Sequence, residues 1–216
     1  VVFTSWKDDS AGGDTNNDAD TTVPSPGDWY YIDIRNSENV WKHCEFRYGG
    51  YNNGSMLSIT SSSPTIEQCT FANARGAAIY VSDGSPQIKD NVIRESHRGI
   101  TIYGTSSGTP ASRPVISGNT ITENGLPLSL EGYAFPVFSN NTLTNNAIRS
   151  IGVSGSMDPS ATRSEIWPKL DIPYMVNGSF TVGSKMTLGL ESGVVVKFNN
   201  THHIRVNGIL DMQGTS

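Results

Sequence analysis

The residues best placed to do chemistry lie near the start of the chain, in KDDSAGGDTNNDADTT at 7–22. Asp14, Asn16, Asp18 and Asp20 fall at alternate positions, with Asp8 and Asp9 just upstream. Hard oxygen ligands at that spacing resemble the first half of a calcium loop. The match is partial: Ala19 stands where the tight turn wants glycine, and Ser25 where a bidentate glutamate would close the site. Two readings stay open, a structural calcium site and a solvated acidic loop held by local Asx turns. A second set is aromatic. Tyr80 in AIYV and Tyr103 in TIYG are expected in one outward column of successive segments, where exposed rings could lie against sugar faces. Trp29, Tyr30 and Tyr31 follow PGD as a second aromatic group. The plain strand preference of tyrosine would give the same pattern.

Other chemistry is sparse. His202 and His203 are adjacent, so in a strand they would point to opposite faces and could not share a metal. His43 and His97 have no Cys or carboxylate partner at zinc-ligand spacing. The carboxylate pairs Glu67 with Asp90 and Glu123 with Glu131 read as outward acids rather than a tuned acid/base pair. No G-x-S-x-G nucleophile motif occurs. The expectation is a chain without catalytic activity.

The elements that would position these residues are written as a repeat. PVISGNTITEN at 114–124 recurs as PVFSNNTLTNN at 136–146, and related copies are SPTIEQCTF at 63–71, SPQIKDNVI at 85–93 and NVWKHCEF at 39–46. Aligned, they give three columns. The first is Trp41, Ile66, Ile88, Ile116 and Phe138; the second Cys44, Cys69, Asn91, Asn119 and Asn141; the third Phe46, Phe71, Ile93, Ile121 and Leu143. Spacings in the middle column are 25, 22, 28 and 22 residues, and a second short apolar segment follows each copy. One copy is too small to bury its own apolar face, whereas stacked copies share a continuous core. The fold class predicted is all-β, a right-handed single-stranded parallel β-helix of about eight to ten coils with loop insertions at 47–55 and 105–113. The Asn column marks a sharp bend where amides bond along the axis and left-handed backbone is tolerated. Cys44 and Cys69 continue that ladder as a pair of small buried hydrophobes, and free thiols are expected because in-register neighbours have poor disulfide geometry.

The layout expected is one unit over 1–216, divided into a first strand, acidic loop and PGDW segment (1–38), regular coils (39–156), an irregular connection (157–175) and C-terminal coils (176–216). A net charge of −5, with only 16% charged residues, excludes a basic nucleic-acid footprint, and no apolar run is long enough to span a bilayer. The chain opens on VVFTS without an initiator Met or a leader, so it reads as processed or cut from something longer. Neither VVFTS nor the closing QGTS brings a cap, and uncapped solenoid ends invite edge pairing.

GVVVKF at 193–198, VNGILDMQGTS at 206–216, VVFTSWKDDSAGGDTN at 1–16, PGDW at 26–29 and the coils from 63 to 146 resemble large secreted or surface-anchored prokaryotic proteins with parallel β-helix repeats, of the pectate-lyase-like superfold. In that family the VVKF and VNG segments usually precede VFTS and PGDW, so this order is circularly permuted. The resemblance implies an extracellular or cell-surface setting. It leaves two explanations of the order: a unit excised from tandem copies, or subunits stacking head to tail. Val1, Val2 and Phe3 at one end would meet Ile209, Leu210 and Met212, towards Ser216, at the other. The resemblance also implies a groove in which relatives act on polysaccharides, but the lyase and polygalacturonase signatures NTD, GHG, RIK and WIDH are missing. The function expected is a structural solenoid unit of a filament or adhesin stalk; the alternative is a polysaccharide-binding or polysaccharide-degrading module. Partners expected are further copies of the chain, with glycans under the alternative.

Overall fold

A computed structural model describes residues 1–19, 21–105 and 112–214. Asp20, Ser216 and most of the 105–113 insertion therefore lie outside the described residues. Among the described residues every strand pairing is parallel, and the strands stack as a solenoid of about eight turns. One long sheet runs its whole length, from Ile32–Ile34 through Ala77–Ser82, Arg98–Gly104 and Leu126–Gly132 to Tyr174–Val182 and Val196–Phe198. Two five-stranded sheets complete a three-sided cross-section in the first part of the molecule.

Those two sheets are the outer columns of the repeat. Trp41 pairs with Ile66, Ile66 with Ile88, Ile88 with Ile116 and Ile116 with Phe138. Phe46, Phe71, Ile93 and Ile121 stack in the other sheet, and Phe3 of the first strand joins them on top of Phe46. The rings of Phe3, Phe46 and Phe71 are stacked 4.9 and 4.7 Å apart and nearly parallel. Like stacks on like because each coil presents the same inward position one strand spacing, ~4.8 Å, above the last. The interior is a single apolar column from Ile34 to Leu188.

The bends differ from the sequence reading in one respect. The left-handed residue is the one before the ladder position: His43, Gln68, Asp90, Gly118 and Asn140 all have φ between 54° and 68°. The following side chain then faces inward. Backbone N–H groups of Cys69, Asn91 and Asn119 donate to Oδ1 of Asn91, Asn119 and Asn141 at 2.9–3.0 Å. The amides also bond to one another, Asn91 Nδ2 to Asn119 Oδ1 at 2.9 Å and Asn119 Nδ2 to Asn141 Oδ1 at 3.0 Å. A second ladder, Ser96–Asn124–Asn146, lies five residues further along each coil, again after left-handed residues Glu95, Glu123 and Asn145.

After Asn146 the cross-section changes. The stretch 157–175, expected to be irregular, contains the strand Arg163–Trp167, which pairs with Met186–Leu190 and so begins a three-stranded sheet ending in Ile209–Met212. Its alternation was hidden by charge: Glu165 and Trp167 point inward while Arg163, Ser164 and Ile166 stay exposed.

Asn119 is fully buried and its amide also holds the carbonyls of Ile88 and Ser117 at 2.8 and 3.1 Å. An unpartnered buried group costs about 1–3 kcal/mol, so Asn119→Ala should lower the unfolding free energy by about 3 kcal/mol or more. Urea unfolding checks this against Val92→Ala on the exposed face of a neighbouring strand, expected to change it by less than about 1 kcal/mol.

Candidate functional site

Three places bring polar or reactive side chains together. The first is the acidic loop. Asp14 accepts the N–H groups of Asp18 and Ala19 at 3.1 and 3.0 Å, with Asn17 and Ala19 both left-handed, so alanine takes the conformation for which glycine was expected. Asp18 in turn accepts Thr22 N–H at 3.1 Å and Asn16 Nδ2 at 2.8 Å. Asp9, Asp14 and Asp18 bring oxygens within 4.8 Å of one another; Asp9 thus enters a set that sequence spacing gave to Asp14, Asn16, Asp18 and Asp20. Asn16 contributes through its NH₂ group, and its Oδ1 is buried without a hydrogen bond among the described residues.

Two further carboxylates tie the loop down. Burial works to raise the Asp8 carboxyl, but hydroxyl hydrogen bonds from Ser10 and Thr4 and the Arg47 charge outweigh it and hold it below the usual range. For Asp28 burial is likewise outweighed, by the Ser5 hydroxyl, Ser25 N–H and Lys7. Trp29, expected among exposed aromatics, is structural: it packs on the core and its indole N–H donates to Arg47 O at 2.7 Å. Tyr30 and Tyr31 are exposed.

The second place is a groove of about 340 Å³ on the outer face of the long sheet, lined by Tyr31, Asn53, Tyr80, Arg98, Thr101 and Glu131. The expected Tyr80–Tyr103 column is not formed. Tyr80 pairs with Thr101 and Tyr103 with Ser82, which sets the two rings diagonally, two residues out of step. A slip of two keeps the face and loses the stack, because side chains alternate with period two. Burial pushes the Tyr80 hydroxyl up, with the negative charges of Glu131 and Asp83 adding to it. Thr101 is 4% exposed, lines this groove, and its hydroxyl has no partner among the described residues.

The third is the pair of thiols. Both are free; Cys69 is buried and Cys44 half-buried. The Cys44 N–H donates to Cys69 Sγ at 3.4 Å, and burial pushes the Cys69 thiol up.

The remaining residues read from sequence are scattered. His202 and His203 precede the strand Ile204–Val206 instead of lying in it, and His203 Nδ1 sits 3.3 Å from Ser179 Oγ. Glu67 is ion-paired with Lys42 at 2.9 Å. At the ends, Phe3 and Leu210 pack on the core, while Val1, Val2, Ile209 and Met212 are exposed. Sequence reasoning missed Glu165, buried beneath Tyr133 OH at 3.2 Å and ion-paired with Arg113. The only signal was an inward acid two residues before Trp167. Burial and the nearby Glu165 carboxylate both push the Tyr133 hydroxyl up.

Among the described residues no helix is long and apolar enough to cross a membrane. No curated protein and no solved structure matches the chain. A family model described as periplasmic copper-binding protein (NosD) matches residues 16–183, more than three-quarters of the sequence. That match and the parallel solenoid agree on one kind of protein with a location outside the cytoplasm: the chain belongs to the NosD family.

Proposed function

We propose that this chain is a structural, non-catalytic β-solenoid outside the cytoplasm that stacks end to end, the Ile209–Met212 edge of one copy meeting the Val1–Phe3 edge of the next. The observation that carries this is the apolar edge strand at each end. Val1 and Val2 are 80% and 45% exposed at one end, and Phe198, Ile209 and Met212 are 54–62% exposed at the other. Among the described residues all strands run parallel, so a second copy placed on the first continues strand direction, and a heterologous contact that does not close propagates as a rod. Light scattering and negative-stain microscopy should show concentration-dependent rods. Val2→Glu and Ile209→Glu should each give monomers, and an equimolar mixture of the two should give dimers only, since one intact interface survives. A wild type that stays monomeric at high concentration refutes the stacking.

A second reading, a polysaccharide-binding module, is favoured by the unpartnered Thr101 hydroxyl in the groove beside Tyr80, Arg98 and Glu131. A sugar hydroxyl at Thr101 would satisfy it while a ring face lies on Tyr80. Calorimetric titration with acidic and neutral oligosaccharides should then show binding that Tyr80→Ala weakens about tenfold or more, while Tyr103→Ala, out of step with it, has less effect.

The metal readings divide by ligand type. Asp9, Asp14 and Asp18 offer hard oxygens, which suit structural calcium. Calcium should raise the melting temperature by a few degrees and a chelator should reverse the gain, with Asp14→Asn abolishing both. An unchanged melting curve leaves the loop as a solvated turn. The copper of the family description is ill suited to that oxygen set. Soft sulfur donors suit Cu(I), and in this chain the thiols of Cys44 and Cys69 stand at the same corner of adjacent coils.

A further inference from the structure

We propose that Cys44 and Cys69 form a two-thiolate site for a single soft monovalent cation, Cu(I). The inference rests on the copper reading above and assigns it to specific atoms.

The argument begins from register. Lys42 pairs with Glu67 and Glu45 with Thr70, so Cys44 and Cys69 sit directly one above the other, about one strand spacing apart. Their backbones are fixed by the pairing of the flanking strands, and the Cys69 sulfur lies 3.4 Å from the Cys44 backbone nitrogen. Each sulfur is turned towards backbone carbonyls, Cys44 towards Lys42 O at 3.4 Å and Cys69 towards Glu67 O at 3.3 Å. Neither thiol is a disulfide. Cys44 is half-buried and provides the route in; Cys69 is buried and excludes water behind the pair. The pockets lined by Asn141, Thr101 and Glu165 offer oxygen and nitrogen donors; of the histidines, His43 is the exposed left-handed residue that turns this corner.

Loading breaks two S–H bonds, forms two copper–sulfur bonds and releases two protons to solvent, with the copper oxidation state unchanged. The complex carries one net negative charge. The Cys44 N–H already donates to the Cys69 sulfur at 3.4 Å and would bear part of that charge, and the open side at Cys44 leaves the rest in contact with water. Sulfur donors favour Cu(I) over the hard cations suited to the acidic loop.

The ladder itself supplies a folding-neutral variant. Cys44→Asn with Cys69→Asn extends the Asn91–Asn119–Asn141 ladder by two rungs, so thiols are removed while the corner is kept. Reduced full chain is titrated anaerobically with Cu(I) in competition with a chromogenic chelator, thiols being counted beforehand. Wild type should withdraw one equivalent and develop thiolate-to-copper absorption; the double variant should melt no lower and bind at least about 100-fold more weakly; Asp14→Asn should bind as wild type does. If wild type withdraws no Cu(I), the copper reading and this site both fall. If the double variant withdraws it as wild type does, copper binding stands and the thiol site is overturned.

Discussion

Everything in this molecule depends on one constraint: a coil cannot satisfy its own corners. At each bend a left-handed residue turns the chain, and the next backbone N–H points along the axis, away from any partner in its own coil. An asparagine one turn further on closes the account, because its amide has an acceptor for that N–H and two donors for the carbonyls and amides around it. The corner is therefore solved only in pairs of coils. Apolar columns follow the same rule, since Ile88 and Ile93 are buried only by the coils on either side of them. Stability here accrues between neighbours rather than within a unit.

That dependence explains the change in shape after Asn146. Both amide ladders stop there, and the two short sheets stop with them, while the long sheet continues through Ile151–Met157 and Tyr174–Val182. Without a ladder the chain needs another way to seal its interior. It uses aromatic bulk, Trp167 stacked on Tyr174 at 4.7 Å, and one buried acid held by Tyr133 and Arg113. The exchange is of a repeated interaction for a local one. Burial, with a smaller contribution from Glu191, drives the Tyr174 hydroxyl far above its ordinary range, and its O–H donates to Pro168 O at 3.0 Å.

How much of this was legible in the sequence follows from what a repeat records. The Trp41 and Phe46 columns could be read because stacking demands like residues at like places, and apolar identity survives insertions. Register on the long sheet could not. Between Tyr80 and Tyr103 the spacing is 23 residues while the strands pair at 21, and nothing in AIYV or TIYG marks the difference. Pattern gave the face and left the column open. The second ladder was masked because its first members are Ala74 and Ser96, and only from Asn124 does the amide appear. Glu165 and Arg113 are 52 residues apart and meet only because the cross-section changes, which no local pattern records. In the acidic loop, carboxylate chemistry was visible but the fold of the turn was not, so Asp9 entered from outside the alternating set.

The two cysteines are the place where ladder logic and sequence disagree. The corners at Cys44 and Cys69 keep the same left-handed predecessors and the same axial N–H as the corners holding asparagine. Sulfur is a weak acceptor, and the bond from Cys44 N–H is 3.4 Å long against 2.9–3.0 Å for the asparagine rungs. A thiol also forgoes the two amide donors that hold the carbonyls on either side. On hydrogen bonding alone, asparagine is the better partner for the axial N–H, by about 1 kcal/mol for each bond weakened or lost. Against that, Cys69 packs within the apolar core and Cys44 against it, where a thiol is a small hydrophobe and an amide is not. What the thiols add to that packing, and asparagine lacks, is affinity for a soft cation.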